Sequence, residues 1–376
     1  MIIIVGPRMP LGLMVSVLVM LAVMLSRPAH AHDPLSEEHD RHHVEKHRGE
    51  HAAHRVEADH SRNLAVARQL VVSFRETGDD GALDEAWALL KPVLKSEIRS
   101  PEALVTAAFA AQSRHEFDYA LLLITQALAI NSRNDEGWLL RASIHLVRGE
   151  TAEAGFACRQ LGNAPLIVLI TCNARVALAE GNYKVALPRL KRVLDATDLT
   201  SLPVDLLAWS YSVAGDLAVG AAKPHQAIEF YRTSLGFAER TQVRAALVDV
   251  FLSSEDYESA WQSLASAPPA LPLLVRRLIA AKNLNRLDGL RLVLSKVQRE
   301  FATWIVAEDW LHAREMTRFF VDVVEKPELA RCLALINIKL QREAEDLRLE
   351  RRTRSNKCKD RSESQLAGLI ESPVGL

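Results

Sequence analysis

A chain of 376 residues, 49% hydrophobic and 25% charged, has the composition of a folded protein, which excludes wholesale disorder. Glycine (16) and proline (15) are scarce and aromatic residues reach 6%, which argues against β-rich or collagen-like architectures and toward helices. The net charge of −1 excludes a global field directed at nucleic acid, and four cysteines are too few for a disulfide scaffold.

Residues 1–31 read as a cleavable export signal. Arg8 supplies positive charge, Leu11 to Leu25 is apolar except for Gly12 and Ser16, and Ala29-His30-Ala31 places small residues at a cleavage site. The apolar run of fifteen residues falls short of the ~20 that a membrane-crossing helix needs. The alternative is an uncleaved inner-membrane anchor formed by residues 2–25, which Pro7 and Pro10 make awkward. Cleavage leaves a mature chain that begins at His32 in an oxidising compartment, periplasmic or secreted. The membrane is then a partner only through the signal segment if it stays attached.

Residues 32–62 form a histidine-rich segment expected to be flexible, since almost no large apolar side chain is present. Its histidines are His32, His39, His42, His43, His47, His51, His54 and His60. His39, His43, His47 and His51 recur at every fourth position, so on a helix they share one face and neighbouring pairs can clamp a metal ion. Nearby Asp and Glu complete a shell suited to Zn²⁺, Ni²⁺, Co²⁺ or Cu²⁺, although Gly49 interrupts any helix. Two other readings stand beside metal handling. One is a solvated low-complexity linker. The other is a pH sensor, because eight acids against five bases give −3 and eight added protons give +5. Neither HExxH nor paired cysteine spacing is present, so a catalytic zinc site has no support.

From about Leu64 the sequence repeats with a period near thirty-four residues. Small residues recur at Ala86, Ala120, Ala154, Ala186, Ala227 and Ala260, at intervals of 34, 34, 32, 41 and 33. A large side chain follows four residues later at Leu90, Ile124, Leu190, Tyr231 and Leu264. Aromatic residues precede the small one by three at Phe117, Tyr183 and Tyr257, and Gly149 and Gly181 mark turns between helices. The 41-residue interval predicts an insertion around Val219 to Pro224. Ala267-Pro268-Pro269-Ala270-Leu271-Pro272 is a break, beyond which two further helix pairs are expected: 273–282 with 287–297, and 309–324 with 328–342.

On these residues the chain resembles a tetratricopeptide-repeat (TPR) protein, most clearly over Trp138 to Leu161 and Ala174 to Val193. The resemblance covers residues 63–345 and implies an all-α, right-handed superhelix of stacked helix-turn-helix units. Alanine stands at position eight (Ala108, Ala142, Ala174), where the family pattern has glycine. The resemblance also implies a concave face for a peptide or a partner helix. In phase, its positions include Glu102, Val105, Phe109, Glu136, Leu139, Ser143, Thr171 and Arg175. The alternative is that these are core residues. The Lys/Asn set that grips a terminal carboxylate in chaperone-binding TPR domains is absent at these positions. Residues 334–349, with Asn337 and Gln341-Arg342-Glu343, resemble the end of exported bacterial TPR proteins thought to accompany metal permeases.

Cys158 and Cys172 fall on neighbouring helices, where a disulfide is one reading and two buried free thiols the preferred expectation. Cys332 and Cys358 have no evident mates. Residues 346–376 read as a basic, disordered tail. Neither a nucleophile elbow nor a phosphate-binding loop occurs. The expectation is therefore a non-enzymatic exported adaptor that binds protein and not nucleic acid, with a metal-binding arm. The alternative is a periplasmic buffer or chaperone that delivers metal to a membrane transporter.

Overall fold

The computed structural model describes residues 57–74, 76–95 and 100–358, and every regular element among them is helical. The histidine-rich segment lies outside the described residues apart from its end, where half-buried His60 sits on helix α1 (57–74). Seven helix pairs follow the sequence phase. α2 (Asp80–Lys95) pairs with α1, and then α3 (Pro101–Ser113) with α4 (Phe117–Ile130) and α5 (Asp135–Arg148) with α6 (Thr151–Arg159). Next come α7 (Leu166–Ala179) with α8 (Tyr183–Ala196), α9 (Val204–Gly220) with α10 (Pro224–Phe237), and α11 (Thr241–Ser253) with α12 (Tyr257–Ser263). The seventh pair is α13 (Leu271–Asn283) with α14 (Arg291–Val306). The chain closes with α15 (Ala313–Arg318), a π turn (Phe319–Val323), α16 (Pro327–Leu340) and α17 (Ala344–Thr353).

The recurring small residues explain the stacking. Ala86, Ala120, Ala154, Ala186, Ala227 and Ala260 are all buried, as are Leu90, Ile124, Leu190, Tyr231 and Leu264. An alanine lets two helix backbones approach, and the large side chain one turn later fills the space beside it. In the third of these units the second position is Cys158, which forms a disulfide with Cys172 across α6 and α7, Cα to Cα 5.7 Å. Free thiols were expected there. The close packing of consecutive helices instead brings the two residues within bonding range. Cys332 and Cys358 form a second disulfide, 5.1 Å between Cα atoms, because the chain beyond α17 turns back onto α16.

One residue in the turn inside each of the seven pairs adopts the left-handed conformation: Gly78, His115, Gly149, Gly181, Ala222, Glu255 and Asn285, with φ between +54° and +79°. The two N–H groups that follow each helix then satisfy its last carbonyls, as where Gly149 donates to Leu146 O (3.0 Å) and Glu150 to His145 O (2.8 Å). The 41-residue interval has a different origin from the one expected. The turn at Ala222 is of ordinary length, and the extra residues lie in the 3₁₀ connection around Leu199–Ser201 and in the longer α9. Two glycines of α9 accept aromatic rings, Tyr231 against Gly215 and Tyr183 against Gly220.

The odd-numbered helices from α3 to α15 pack directly on their odd-numbered successors and so line the short inner side of the stack. The stack also meets itself. The Thr241 hydroxyl donates to Glu76 O (2.8 Å), His312 Nε2 lies 3.3 Å from Asp80, and Gly78 packs against Ala270. The start of the array is thus docked on α11, α13 and the loop before α15.

The expected domain end at 345 falls inside α17, whose Asp346, Leu349 and Thr353 are buried. Residues 359–376 lie outside the described residues.

Gly215→Ala drives a Cβ into the Tyr231 ring and is expected to cost about 1–3 kcal/mol through overpacking. Gly236→Ala, in open space on α10, should instead gain up to about 1 kcal/mol. Urea denaturation of both variants, followed by circular dichroism, checks the pair.

Candidate functional site

The inner helices carry polar side chains aligned from pair to pair. Thr171 of α7 shares a buried hydrogen bond with Ser210 of α9 (3.0 Å), and Arg175 donates to Ser143 of α5 (3.0 Å). Further along, Arg276 of α13 is 2% exposed and makes a two-point contact with Asp249 of α11 at 2.8 and 2.7 Å. It also reaches Glu315 of α15 (3.1 Å) and Glu345 of α17 (3.2 Å). Arg318 pairs with the same Asp249 (2.8 Å) and with Glu345. Arg314 holds Asp346 (2.6 Å) and Glu343 (2.8 Å). Four arginines therefore meet five carboxylates from four inner helices and the C-terminal turn.

That C-terminal turn occupies the concave face. The Arg342 N–H donates to the Val147 carbonyl at the end of α5 (2.7 Å), and Arg175 lies 3.7 Å from Glu343. Glu343 and Asp346 form a capping box that starts α17, which places acids where the helix dipole favours them. Asn337 donates to Asp346 Oδ1 (2.7 Å), and Gln341 donates to Asn337 Oδ1 (2.9 Å). The three acids Glu343, Glu345 and Asp346 are thereby engaged with the inner wall or with the cap of α17, while Arg342 and Arg348 are exposed.

The electrostatics follow from burial set against charge. Burial pushes the Glu345 carboxyl up, but Arg318, Arg276 and Arg314 outweigh it and hold the group far below the ordinary carboxylate range. Glu343 is likewise held down by Arg314 and Arg175 against burial. For Asp346 burial wins and the carboxyl is raised despite Arg314. Asp216 is raised by burial, although the Tyr231 hydroxyl donates to it (2.7 Å). Burial lowers the Arg276 guanidinium, yet Asp249, Glu315 and Glu345 raise it further. His115, stacked on Phe117, is lowered from 6.5 to about 4, by burial first and then by Arg314 and His312, with Glu343 opposing. Its Nδ1 is buried without a hydrogen-bond partner among the described residues.

The expected groove positions fare unevenly. Val105, Phe109, Leu139, Ser143 and Thr171 are buried, Glu136 and Arg175 are half-buried, and Glu102 is exposed. Glu136 pairs with Arg68 of α1 (3.4 Å). Ser143 and Arg175 stand nearest the bound turn, whereas Thr171 is consumed in bridging α7 to α9. Sequence phase did not disclose Arg276, Arg314, Arg318, Asp249 or Glu315. The only signal for them was charge at inner positions of helices that the pattern treats as apolar. Of the eight expected metal ligands only His60 is described, and no group of three His, Cys, Asp or Glu suited to a metal exists among the described residues.

These features define an all-α, TPR-type fold of stacked helix-turn-helix repeats. The chain is similar to the solved structure of PilF from Pseudomonas aeruginosa, at 17% identity over 53% of this chain and 90% of that one, with a TM-score of 0.39. It is similar to a tetratricopeptide repeat protein of Parabacteroides merdae ATCC 43184 at 15% identity over 63% and 93% of the two chains, TM-score 0.40. A third likeness is TTC0263, a TPR protein of Thermus thermophilus, at 21% identity over 60% and 98%, TM-score 0.32. No family model and no curated protein sequence matches the chain.

Arg276→Ala leaves buried Glu315 without its ion-pair partner and Asp249 and Glu345 with Arg318 alone, and is expected to cost roughly 3–5 kcal/mol in chemical denaturation. His115 takes up a proton on unfolding that the folded chain refuses. Its contribution to stability is therefore complete above pH 6.5 and is lost as pH falls toward about 4. His115→Asn, which tolerates the left-handed turn, should flatten that part of the stability–pH curve measured by thermal melts.

Proposed function

We propose that this chain is an exported, non-enzymatic TPR scaffold that docks another protein through the concave face of its helix stack. The observation that carries the reading is that this face already binds a peptide segment. The turn at residues 341–346 lies on the inner wall with a backbone hydrogen bond to Val147 and with arginines on its acids. Elsewhere the inner residues are joined to one another, and the polar clusters serve packing and charge balance rather than a reacting centre.

Export is supported by the sequence of residues 1–31 and by the pairing of all four cysteines in two disulfides, a state suited to an oxidising compartment such as the periplasm. The histidine-rich segment then stands at the new N-terminus as a transition-metal-binding arm, with His32, His39, His42, His43, His47, His51, His54 and His60 as its ligands. The second reading is a metal buffer or chaperone in which the stack presents those histidines to a membrane transporter. Their fourfold spacing at His39, His43, His47 and His51 favours it.

The exported protein should begin at His32 by N-terminal sequencing and should show no alkylatable thiol before reduction. Retention of Met1 in a cytosolic, fully thiol-reactive chain refutes export. Calorimetry with Zn²⁺, Ni²⁺, Co²⁺ and Cu²⁺, on the chain from His32 and on one lacking residues 32–56, tests the arm. Saturable sub-micromolar binding that disappears with the deletion supports metal handling. Weak binding indifferent to the metal reduces the segment to a linker.

A further inference from the structure

The inner wall is charged beyond what its own helices can balance. Without the C-terminal turn, Arg175, Arg276, Arg314 and Arg318 face only Asp249 and Glu315 within ion-pair reach among the described residues. Asp216 lies nearby and accepts from the Tyr231 hydroxyl (2.7 Å), and it makes no ion pair with these arginines among the described residues. The missing negative charge comes from Glu343, Glu345 and Asp346, three acids within four residues at the start of one helix. Leu349, one turn further on, is 2% exposed, so the same helix is buried there as well.

A segment needed only for packing has no use for this chemistry, since well-packed apolar residues fill a core at equal or lower free energy. Buried ion pairs instead fix register and discriminate between occupants. The attachment is also graded. Asp346 is fully enclosed, but the Glu343 side chain is 36% exposed and Glu345 20%. The turn's direct backbone bond to the opposite wall is the one from Arg342 to Val147. Beyond the chain's own link to α16, covalent retention comes from the Cys332–Cys358 disulfide just past α17.

We propose that the wall formed by Arg175, Arg276, Arg314 and Arg318 is an exchangeable cradle for an acidic helix start, filled in cis by residues 343–346 and taken over by a partner segment of the same character. That character is an acid at the helix cap, acids two and three residues on, and leucine after three more. This deepens the reading of a concave docking face and depends on it. The cis segment competes with the partner, so docking is weak while the Cys332–Cys358 tie holds and strengthens when the tie is opened.

The test uses the full exported chain and its Cys332→Ser/Cys358→Ser variant, with a fluorescent peptide of residues 341–352 as probe. Native-state hydrogen exchange of the wild type is read first. The expected result is exchange at residues 341–353 at least tenfold faster than in α9. Fluorescence anisotropy should then show saturable binding of the peptide, at least tenfold tighter to the variant than to the wild type. It should be lost when the peptide carries Glu343→Gln, Glu345→Gln and Asp346→Asn. Exchange of residues 341–353 only at the rate of α9 overturns the proposal, whatever the variant does. Equal binding of acidic and neutral peptides, or of neither, to a folded variant also overturns it. So does a stable dimer formed by trading α17 between copies. If the variant does not fold, the wild-type exchange rates decide. None of these failures touches export, which the N-terminus and thiol assays report independently.

Discussion

Arg276 sits where four inner helices converge, and its guanidinium is satisfied on every side by Asp249, Glu315, Glu345 and the Pro272 carbonyl. Removing one member of such a lattice leaves others buried and unpaired, so the geometry of α11, α13, α15 and α17 is specified jointly. Hydrophobic stacking brings the helices together, as it does in any helical repeat. The ion lattice decides how the last turns sit on the earlier ones. Through Arg175 and Glu343 the same lattice reaches α7, and through Ser143 it reaches α5. The far end of the chain is thereby tied to the middle of the stack.

Two hydrophobic clusters divide along this line. One runs continuously from Ala67 to Ala280, and the other gathers Val275 to Leu333 around Phe301, Phe319 and Phe320. They meet at α13, the helix that carries Arg276. A polar knot at the seam between two apolar bodies sets their orientation, because apolar contacts tolerate sliding whereas paired charges do not. The π turn at Phe319–Val323 belongs to the second body. It puts Phe319 and Phe320 into that core directly after Arg318 has turned to the lattice.

Much of the helical stack was legible in the sequence. The alanine at the start of each second helix and the large residue four positions later repeat in phase, and every one of those alanines is buried. The turns were legible only where glycine filled them, at Gly149 and Gly181. Their equivalents His115, Ala222, Glu255 and Asn285 adopt the same left-handed backbone without the residue that signals it. The Cys158–Cys172 bridge was legible only as one of two readings, and Cys332–Cys358 was not legible, since those residues are 26 apart and meet only through the return of the chain after α17. The candidate site was the least visible part. Asp249, Arg276 and Glu345 are far apart in sequence, and no periodicity within one repeat links them. The resemblance supplied a concave face with a peptide-binding role, but it did not announce that the chain's own C-terminal turn would fill that face.

The contact of Glu76, Gly78 and Asp80 with Thr241, Ala270 and His312 carries a different lesson. An open array behaves as a one-dimensional chain, in which each unit senses its neighbours and further units merely lengthen it. Here residues 165 positions apart are hydrogen-bonded, so the stack has a circumference as well as a length. The number of units between the two contact points is set by geometry, as the staves of a barrel are set by its hoop. Inserting or removing one unit carries Glu76 past Thr241, while a loop enlarged on the outer side leaves the circuit intact. Change in this molecule is therefore steered outward, into connections and outer helices, and kept from the count of its repeats.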